Sequence, residues 1–452
     1  MMDVSLCHGD AVRGRWVAAA QDIPVGALVL ESKPFAFMLS PSLWTERCQV
    51  CFRPTATLSR CGRCRLVYYC SKACQLKDWK ESHKLECPHL PAMWQHAPHP
   101  ATLSDALLVA RVLRKESAHL LTMANSSSLS REALVPSDLV WFEEDRTDVR
   151  ATACWLATKH ADLLPDNSSA HVVEEMLCRF RSNNFTITDE LLLDVGAGCF
   201  PWGAMVNHSC ANNCAVTYEP STQTMQLRAV QFIPKGAEVT QTYVDVGLPL
   251  HKRQRHLHRH YHFTCMCERC TSEGRLDDVE SSNDAAKMAV LEQAVTWCKE
   301  AARASNRETA IDLFKRTLDV RASVLANEWS VLLLEVHAQL LTLYIEMGNG
   351  HDAIQTARKM YAFYQHLYDP NHPLTGLHLY TLGDLESQLQ VEGAQQHLTE
   401  AWRILTITHG AKHAMVQTLK GRVDELLRAQ HAPYQHLDCA VSQAQPSGPS
   451  KY

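Results

Sequence analysis

Eight residues with metal-binding side chains lie between positions 48 and 87, and their spacing constrains this chain more than any other feature. Cysteines separated by two or three residues can turn both sulfurs toward one ion. So short a segment builds little core of its own, and bound metal would supply much of its folding free energy. The pattern predicts two interleaved tetrahedral Zn²⁺ sites, the alternative being unliganded core cysteines. The predicted ligand sets are Cys48, Cys51, Cys70 and Cys74, and Cys61, Cys64, His83 and Cys87.

A second cysteine cluster, CMCERC at 265–270, lacks one ligand for a zinc site. It offers three thiolates, whereas a structural zinc ion takes four. The stretch AMVNHSCANNC, residues 204–214, offers Cys210 as the natural fourth donor and Cys214 as its competitor. Because only the fold can bring the two segments together, the sequence alone does not exclude Cys214 as the fourth ligand. The favoured third set is Cys210, Cys265, Cys267 and Cys270.

Cysteine usage and charge exclude several classes of protein. Seven of the 18 cysteines lie in the first cluster and three in the second. The segment MMDVSLCHGD lacks the pattern of a secretion signal, so we expect reduced thiols and metal binding rather than disulfides. The sequence has no long apolar run of the kind that predicts a membrane span. The net charge of −5 argues against nucleic acid as the main partner.

The periodicity of apolar residues divides the chain into a mixed first part and a helical second part. Strand-like runs such as AEVTQTYVDV, residues 237–246, alternate with helical patterns in the first part, which predicts an α+β multidomain protein. The predicted segments are 1–45, a β-rich start; 46–90, the cysteine module; 91–180, helical; 181–247, β-rich; 248–275, the second cysteine cluster; 276–430, helical; and 431–452, a disordered tail.

The helical part shows weak internal similarity. Tyr361 and Trp402 lie in similar contexts 41 residues apart. Helix-pair repeats stack on their neighbours because one unit cannot bury its own apolar face. The period favours an all-α array of the tetratricopeptide type over generic helix packing.

The order of these motifs resembles that of a known family. The first module, CQVCFRPTATLSRCGRCRLVYYCSKACQLKDWKESHKLEC, resembles a MYND zinc finger. The motifs NHSC and EVTQTYVDV, followed by the second cysteine cluster, resemble the β-rich SET fold of protein-lysine methyltransferases with its post-SET zinc site. A SET domain split by a MYND finger and followed by helical repeats is similar to the SET-and-MYND family, especially its smaller animal members. The resemblance covers nearly the whole chain, from about residue 10 to 430.

The resemblance implies transfer of a methyl group from S-adenosylmethionine to lysine side chains of histone or non-histone proteins, with three structural zinc ions. An aromatic channel suits the aliphatic stem of lysine and tolerates its cation. The family's catalytic tyrosine corresponds to Tyr243. The implied channel walls are Phe185, Tyr261 and Phe263. The implied cofactor contacts are Arg13, Gly14, Arg15, Asn183, Asn207, His208, Tyr243 and Phe263.

One departure from the family pattern lies in VRGRWVAA, residues 12–19. The family carries Gly-x-Gly where the chain approaches the cofactor, whereas Trp16 stands at the second glycine here. This departure motivates a second hypothesis, a catalytically weak MYND and repeat scaffold or transcriptional co-regulator. A third hypothesis, a nucleic-acid-binding regulator, requires a positive charge that this chain lacks.

The resemblance also implies partners and a location. The MYND finger is expected to bind proline-rich peptides, the alternative being a purely structural role. The helical repeats are expected to contact a chaperone or another protein. We expect a monomeric chromatin regulator found in the cytoplasm and the nucleus.

Overall fold

The computed structural model describes residues 4–8, 14–97, 100–122, 143–166, 168–277, 285–324 and 329–435. The chain forms two compact units, Met1–Val279 and Glu280–Tyr452. The described residues of the first unit form both strands and helices, and those of the second form helices. The α+β class expected from the sequence is confirmed.

The strands of the first unit are short, and several pair over long sequence distances. They are β1 (Val4–His8), β2 (Arg15–Ala19), β3 (Leu28–Ser32), β4 (Ala36–Leu39), β5 (Ser59–Arg60), β6 (Tyr68–Tyr69), β7 (Asn184–Thr188), β8 (Asp194–Cys199), β9 (Asn207–His208), β10 (Cys214–Tyr218), β11 (Met225–Ala229) and β12 (Thr240–Gln241).

Two antiparallel three-stranded sheets join the start of the chain to its middle. One has the order β10–β11–β3, with Leu30 opposite Leu227, and the other has the order β4–β8–β7. Residues of β11 alternate between buried and half-buried, as expected for a strand with one face on the core. The segments on either side of the cysteine module therefore share one hydrophobic core.

The helices of the first unit surround these sheets and carry several of the predicted ligands. Ser71 caps the first helix by accepting a hydrogen bond from the backbone N–H of Cys74, at 3.2 Å. A π-helical segment, Trp79–His83, joins the first two helices. The helices are α1 (Lys72–Asp78), α2 (Lys84–Glu86), α3 (Leu90–His96), α4 (Pro100–Thr122), α5 (Glu143–Lys159), α6 (Ala170–Asn183), α7 (Leu250–Tyr261) and α8 (Glu268–Asp277).

The second unit is a succession of helices in which each helix packs against the next. Tyr361 and Trp402 pack against the same apolar cluster around Leu379 and Leu405. No described helix of the chain is long and apolar enough to span a bilayer. The helices are α9 (Ala285–Arg303), α10 (Arg307–Val324), α11 (Val331–Glu346), α12 (Gly350–Leu367), α13 (Pro373–Gln388), α14 (Ala394–His409) and α15 (Ala414–Gln435).

Two sequence-based expectations about secondary structure were wrong. Helix α15 continues to Gln435, five residues into the segment expected to be disordered; residues 436–452 lie outside the described residues. The run AEVTQTYVDV forms only the two-residue strand β12. The Thr242 hydroxyl bonds the Val244 carbonyl, and such local bonds compete with a regular strand.

Candidate active site and metal centres

The structure gathers the twelve predicted metal ligands into three groups of four. In each group the ligand atoms lie within 4.8 Å of one another, and most of the side chains are buried. We call them the first quartet (Cys48, Cys51, Cys70 and Cys74), the second quartet (Cys61, Cys64, His83 and Cys87) and the third quartet (Cys210, Cys265, Cys267 and Cys270).

Donor spacing within the quartets fits tetrahedral zinc. Zn–S bonds of about 2.3 Å place two sulfurs of a tetrahedron about 3.8 Å apart. The sulfurs of Cys51 and Cys70 are 3.6 Å apart, and those of Cys61 and Cys87 are 3.8 Å apart. Four protein ligands leave no open position, which is the arrangement of structural rather than catalytic zinc. The expected three structural zinc sites therefore fit the geometry.

The cysteine module is fixed to the rest of the first unit by a buried ion cluster. Arg111 and Arg114 of α4 each place a guanidinium nitrogen 2.7 Å from the Glu86 carboxylate. Burial alone would raise the pKa of Glu86, but the two guanidinium groups outweigh it and lower the pKa to about 2. Arg111 also donates to the Phe37 carbonyl of β4, at 2.7 Å. The module is thus tied to both a helix and a strand of its surroundings.

Only one of the two competing cysteines of AMVNHSCANNC joins the third quartet. Cys210 follows β9 and lies with the cluster at 265–270. Cys214 begins β10 and is buried in the core, where burial raises the pKa of its thiol. The side chain of Gln254 holds the backbone N–H and carbonyl of Cys265, at 2.9 and 2.7 Å.

The motif NHSC pairs with the segment that leads to Tyr243, and we call this parallel pair the strand crossing. Strands β9 and β12 run parallel, with Thr240 opposite Asn207 and Gln241 opposite His208. The Gln241 side chain donates to the carbonyls of Gly203 and Val206, each at 2.9 Å. These bonds fix the loop before β9 to strand β12.

Tyr243 lies just beyond this crossing, in a bend rather than in a strand. Its hydroxyl donates to the Val206 carbonyl, at 2.8 Å, and its backbone N–H donates to His208 Nδ1, at 2.9 Å. Burial raises the pKa of Tyr243, so the hydroxyl stays protonated at neutral pH. The ring of Tyr261 lies 4.7 Å from that of Tyr243, and the ring of Phe263 lies 5.9 Å from His208.

The predicted site residues near the N-terminus lie beside the pair of strands β9 and β12. The Asn207 side-chain amide donates to the Arg15 carbonyl, at 3.1 Å, and to the Glu238 carboxylate, at 2.9 Å. Gly14 has φ of +62°, and no described atom lies within 4 Å of the position that a Cβ would take. This conformation favours glycine and leaves room beside the backbone. Trp16 lies opposite Cys7 in the β1–β2 pair, and Arg13 lies outside the described residues.

Two further predicted residues lie where α6 passes into β7. Asn183 is buried, and its amide donates to the Arg179 carbonyl at 2.9 Å. The ring of Phe185 lies 5.8 Å from that of Phe200, in an edge-on contact. The neighbouring Asn184 has a buried side-chain oxygen without a hydrogen-bond partner in the part of the chain that the structure describes. Such an orphaned acceptor suits a donor from a bound small molecule.

Comparison with known proteins agrees with this arrangement. Residues 48–87 match the family model of the MYND finger. The human N-lysine methyltransferase SMYD2 is 28% identical over 430 residues, covering 91% of this chain and 96% of its own. The zebrafish SMYD2-A is 29% identical over 439 residues, with the same coverage. The Arabidopsis thaliana histone-lysine N-methyltransferase ASHR1 is 28% identical over 460 residues, covering 91% of this chain and 93% of its own.

A cysteine quartet beside the parallel strand pair β9–β12, with a MYND finger that holds two further quartets inserted after β4, defines a SET-type protein. The likeness to the relatives extends over nearly the whole length of both chains. The chain is similar over nearly its whole length to protein-lysine methyltransferases of the SET-and-MYND type.

Proposed function

We propose that this protein transfers a methyl group from S-adenosylmethionine to lysine side chains of histone or other proteins, with the reaction centred on Tyr243. The observation that supports this most is the half-buried Tyr243, whose hydroxyl donates to the Val206 carbonyl and whose ring packs on that of Tyr261. A polar group kept in an apolar, water-poor surrounding acts more strongly on a reacting charge than it does in water.

The chain's residues orient the reactants more than they take part in bonds. When bound, S-adenosylmethionine supplies a methyl group on a positively charged sulfur. A neutral amine attacks the methyl carbon in line with the carbon–sulfur bond, and the sulfur leaves as a neutral thioether. The Tyr243 hydroxyl donates its hydrogen bond to the Val206 carbonyl, so its oxygen is left to accept a hydrogen bond from a lysine amine. The lysine ammonium first releases its proton to water, and its nitrogen lone pair then forms the new bond. Positioning of this kind can lower the barrier by several kcal/mol.

Aromatic rings are proposed to form the channel for the lysine stem. Tyr261 packs on Tyr243, and Phe263 lies beside His208. Phe185, which packs on Phe200, is the third proposed wall. Aromatic rings bury the methylene groups of lysine and stabilise its cation before deprotonation.

The proposed cofactor contacts form two groups. The first, near the N-terminus and the strand crossing, is supported by the bond from Asn207 to the Arg15 carbonyl and by the room that the described atoms leave beside Gly14. The second, at the start of β7, is supported by the buried oxygen of Asn184, which has no hydrogen-bond partner among the described residues and which the sequence had not singled out. The proposed contacts are Arg13, Gly14, Arg15, Asn183, Asn184, Asn207, His208, Tyr243 and Phe263.

Calorimetric titration of the zinc-loaded protein with S-adenosylmethionine tests the proposal. We expect binding near one equivalent with a micromolar dissociation constant. Tyr243→Phe should keep binding and lower kcat about 100-fold, because the amine loses its orienting acceptor. Tyr218→Phe is the matched control, since Tyr218, at the end of β10, is also half-buried but packs on Phe200. Equal activity of the Tyr243 and Tyr218 variants would refute the assignment.

A catalytically weak scaffold or co-regulator is the second candidate. Trp16, at a position where the family carries glycine, favours it because glycine leaves room beside the backbone and tryptophan does not. A folded sample with three zinc ions that does not bind S-adenosylmethionine would move the assignment to this scaffold.

Partners and location remain part of the proposal. Protein substrates with exposed lysines follow from the family. A proline-rich peptide is proposed for the MYND finger, and a chaperone or other protein for the helices of the second unit. We further propose a monomer that acts in the cytoplasm and the nucleus.

A further inference from the structure

His208 lies between the third quartet and Tyr243, and its two ring nitrogens face different partners. Nδ1 accepts the backbone N–H of Tyr243, at 2.9 Å. Nε2 lies 3.3 Å from the sulfur of Cys210. A nitrogen that accepts an N–H carries no proton of its own, so the ring proton resides on Nε2. The ring therefore donates to Cys210 and accepts from Tyr243.

A proton on Nε2 is what the third quartet requires. Four thiolates around Zn²⁺ carry a net charge of −2, and donors around such a cluster stabilise it. One donor is Arg253, which is 1% exposed and whose guanidinium lies 3.9 Å from the Cys270 sulfur and 2.6 Å from the Glu273 carboxylate. His208 supplies a second donor, on the side of the quartet that faces the strand crossing.

We infer that His208 is a positioning residue that couples the third zinc quartet to Tyr243. The thiolate of Cys210 fixes the ring orientation and the proton position, and the ring then fixes the backbone of Tyr243. With its backbone held, Tyr243 can direct its hydroxyl to the Val206 carbonyl. Only the activity readout of this inference rests on the proposed function, because metal retention is measured without any methyl transfer.

Two substitutions of His208 each keep one of the two hydrogen bonds of the imidazole ring and remove the other. In His208→Asn the side-chain carboxamide reaches about as far as Nδ1, so it can still accept from Tyr243 but cannot reach Cys210. In His208→Gln the carboxamide reaches about as far as Nε2, so it can still donate to Cys210 but does not accept from Tyr243. Both variants are prepared as the full-length, zinc-loaded protein. Release of zinc to a chromophoric chelator is recorded beside kcat and KM.

We expect the two variants to fail in different assays. His208→Asn should release one of its three zinc ions about 10- to 100-fold faster, because outer-shell donors change metal affinity by that amount. The two zinc ions of the finger, released as in the unmodified protein, serve as the internal control for folding. His208→Gln should keep all three and lose about five- to tenfold in kcat, with little change in KM.

The inference is wrong if both variants lose the same zinc ion, or if neither changes its release. A measurement on the unmodified protein covers the case in which the variants do not fold. With ¹¹³Cd in place of zinc, an Nε2–H donor gives a scalar correlation between the metal of the third quartet and a histidine ring proton. A ring proton on Nδ1 of His208 would overturn the assignment. A protein without methyltransferase activity would still show the difference in zinc release.

Discussion

Gln241 holds the strand crossing together, and replacing it by methionine tests how much the crossing depends on it. The side chain is 1% exposed, and its amide nitrogen donates to the carbonyls of Gly203 and Val206, each at 2.9 Å. Methionine has a similar length and donates no hydrogen bond. Each carbonyl keeps one other donor, the Val206 N–H for Gly203 and the Tyr243 hydroxyl for Val206. The carbonyls are therefore not orphaned.

The loss is then two ordinary hydrogen bonds, each of about 1 kcal/mol net, rather than two unsatisfied buried groups. We expect the free energy of unfolding of the first unit to fall by about 2 kcal/mol. For a unit of this size the melting temperature should fall by roughly 4–8 °C. Because the Val206 carbonyl also holds the Tyr243 hydroxyl, kcat should fall about tenfold.

Thermal unfolding of the zinc-loaded protein and steady-state methyl transfer are the assays. Gln226→Met is the control, because Gln226 makes the same kind of amide bond, to Glu31, at the surface of the sheet. Its melting temperature should stay within about 2 °C of the unmodified protein. If Gln241→Met melts like the control and turns over normally, the crossing is held by other contacts and the reasoning fails.

Three further changes test other parts of the first unit. Gly196→Ala should destabilise it by about 2 kcal/mol or more, since a Cβ there would clash with the Met38 carbonyl oxygen, whereas Gly62→Ala should melt normally. Glu86→Gln leaves two buried guanidinium groups without their carboxylate, and should cost about 3–5 kcal/mol, seen as faster hydrogen exchange in the finger; unchanged exchange would contradict this. Arg253→Met should weaken zinc binding at the third quartet at least about tenfold in chelator competition, and equal affinity would exclude its role as a donor.

The zinc quartets of the finger could be predicted because metal chemistry demands particular residues at short spacing. All eight ligands lie within one segment, so no long-range information was needed. The third quartet was harder, because Cys210 and Cys214 are equivalent by type and nearly so by position. Their difference arises from β10, which buries Cys214 in the core.

The polar residues around Tyr243 could not be singled out from the sequence. Gln241 and Glu238 look like ordinary polar positions of a strand, and Asn184 looks like a repeat of Asn183. The partners of Gln241 and Glu238 come from another segment of the chain, as with Glu238 and Asn207. The strand expected around Tyr243 was wrong for a related reason, since local side-chain bonds replaced the ladder.

The pairing of Leu30 with Leu227 has a consequence for synthesis on the ribosome. The eight ligands of the MYND finger leave the exit tunnel together, so the finger can bind zinc early. Strand β3, made before it, pairs with β11 and therefore waits until residues near 229 emerge, roughly 10–30 seconds later at ordinary elongation rates. Its apolar edge is exposed to other chains throughout that interval. We therefore expect nascent-chain chaperones to bind the first 45 residues, and cells short of zinc to accumulate aggregates that begin there.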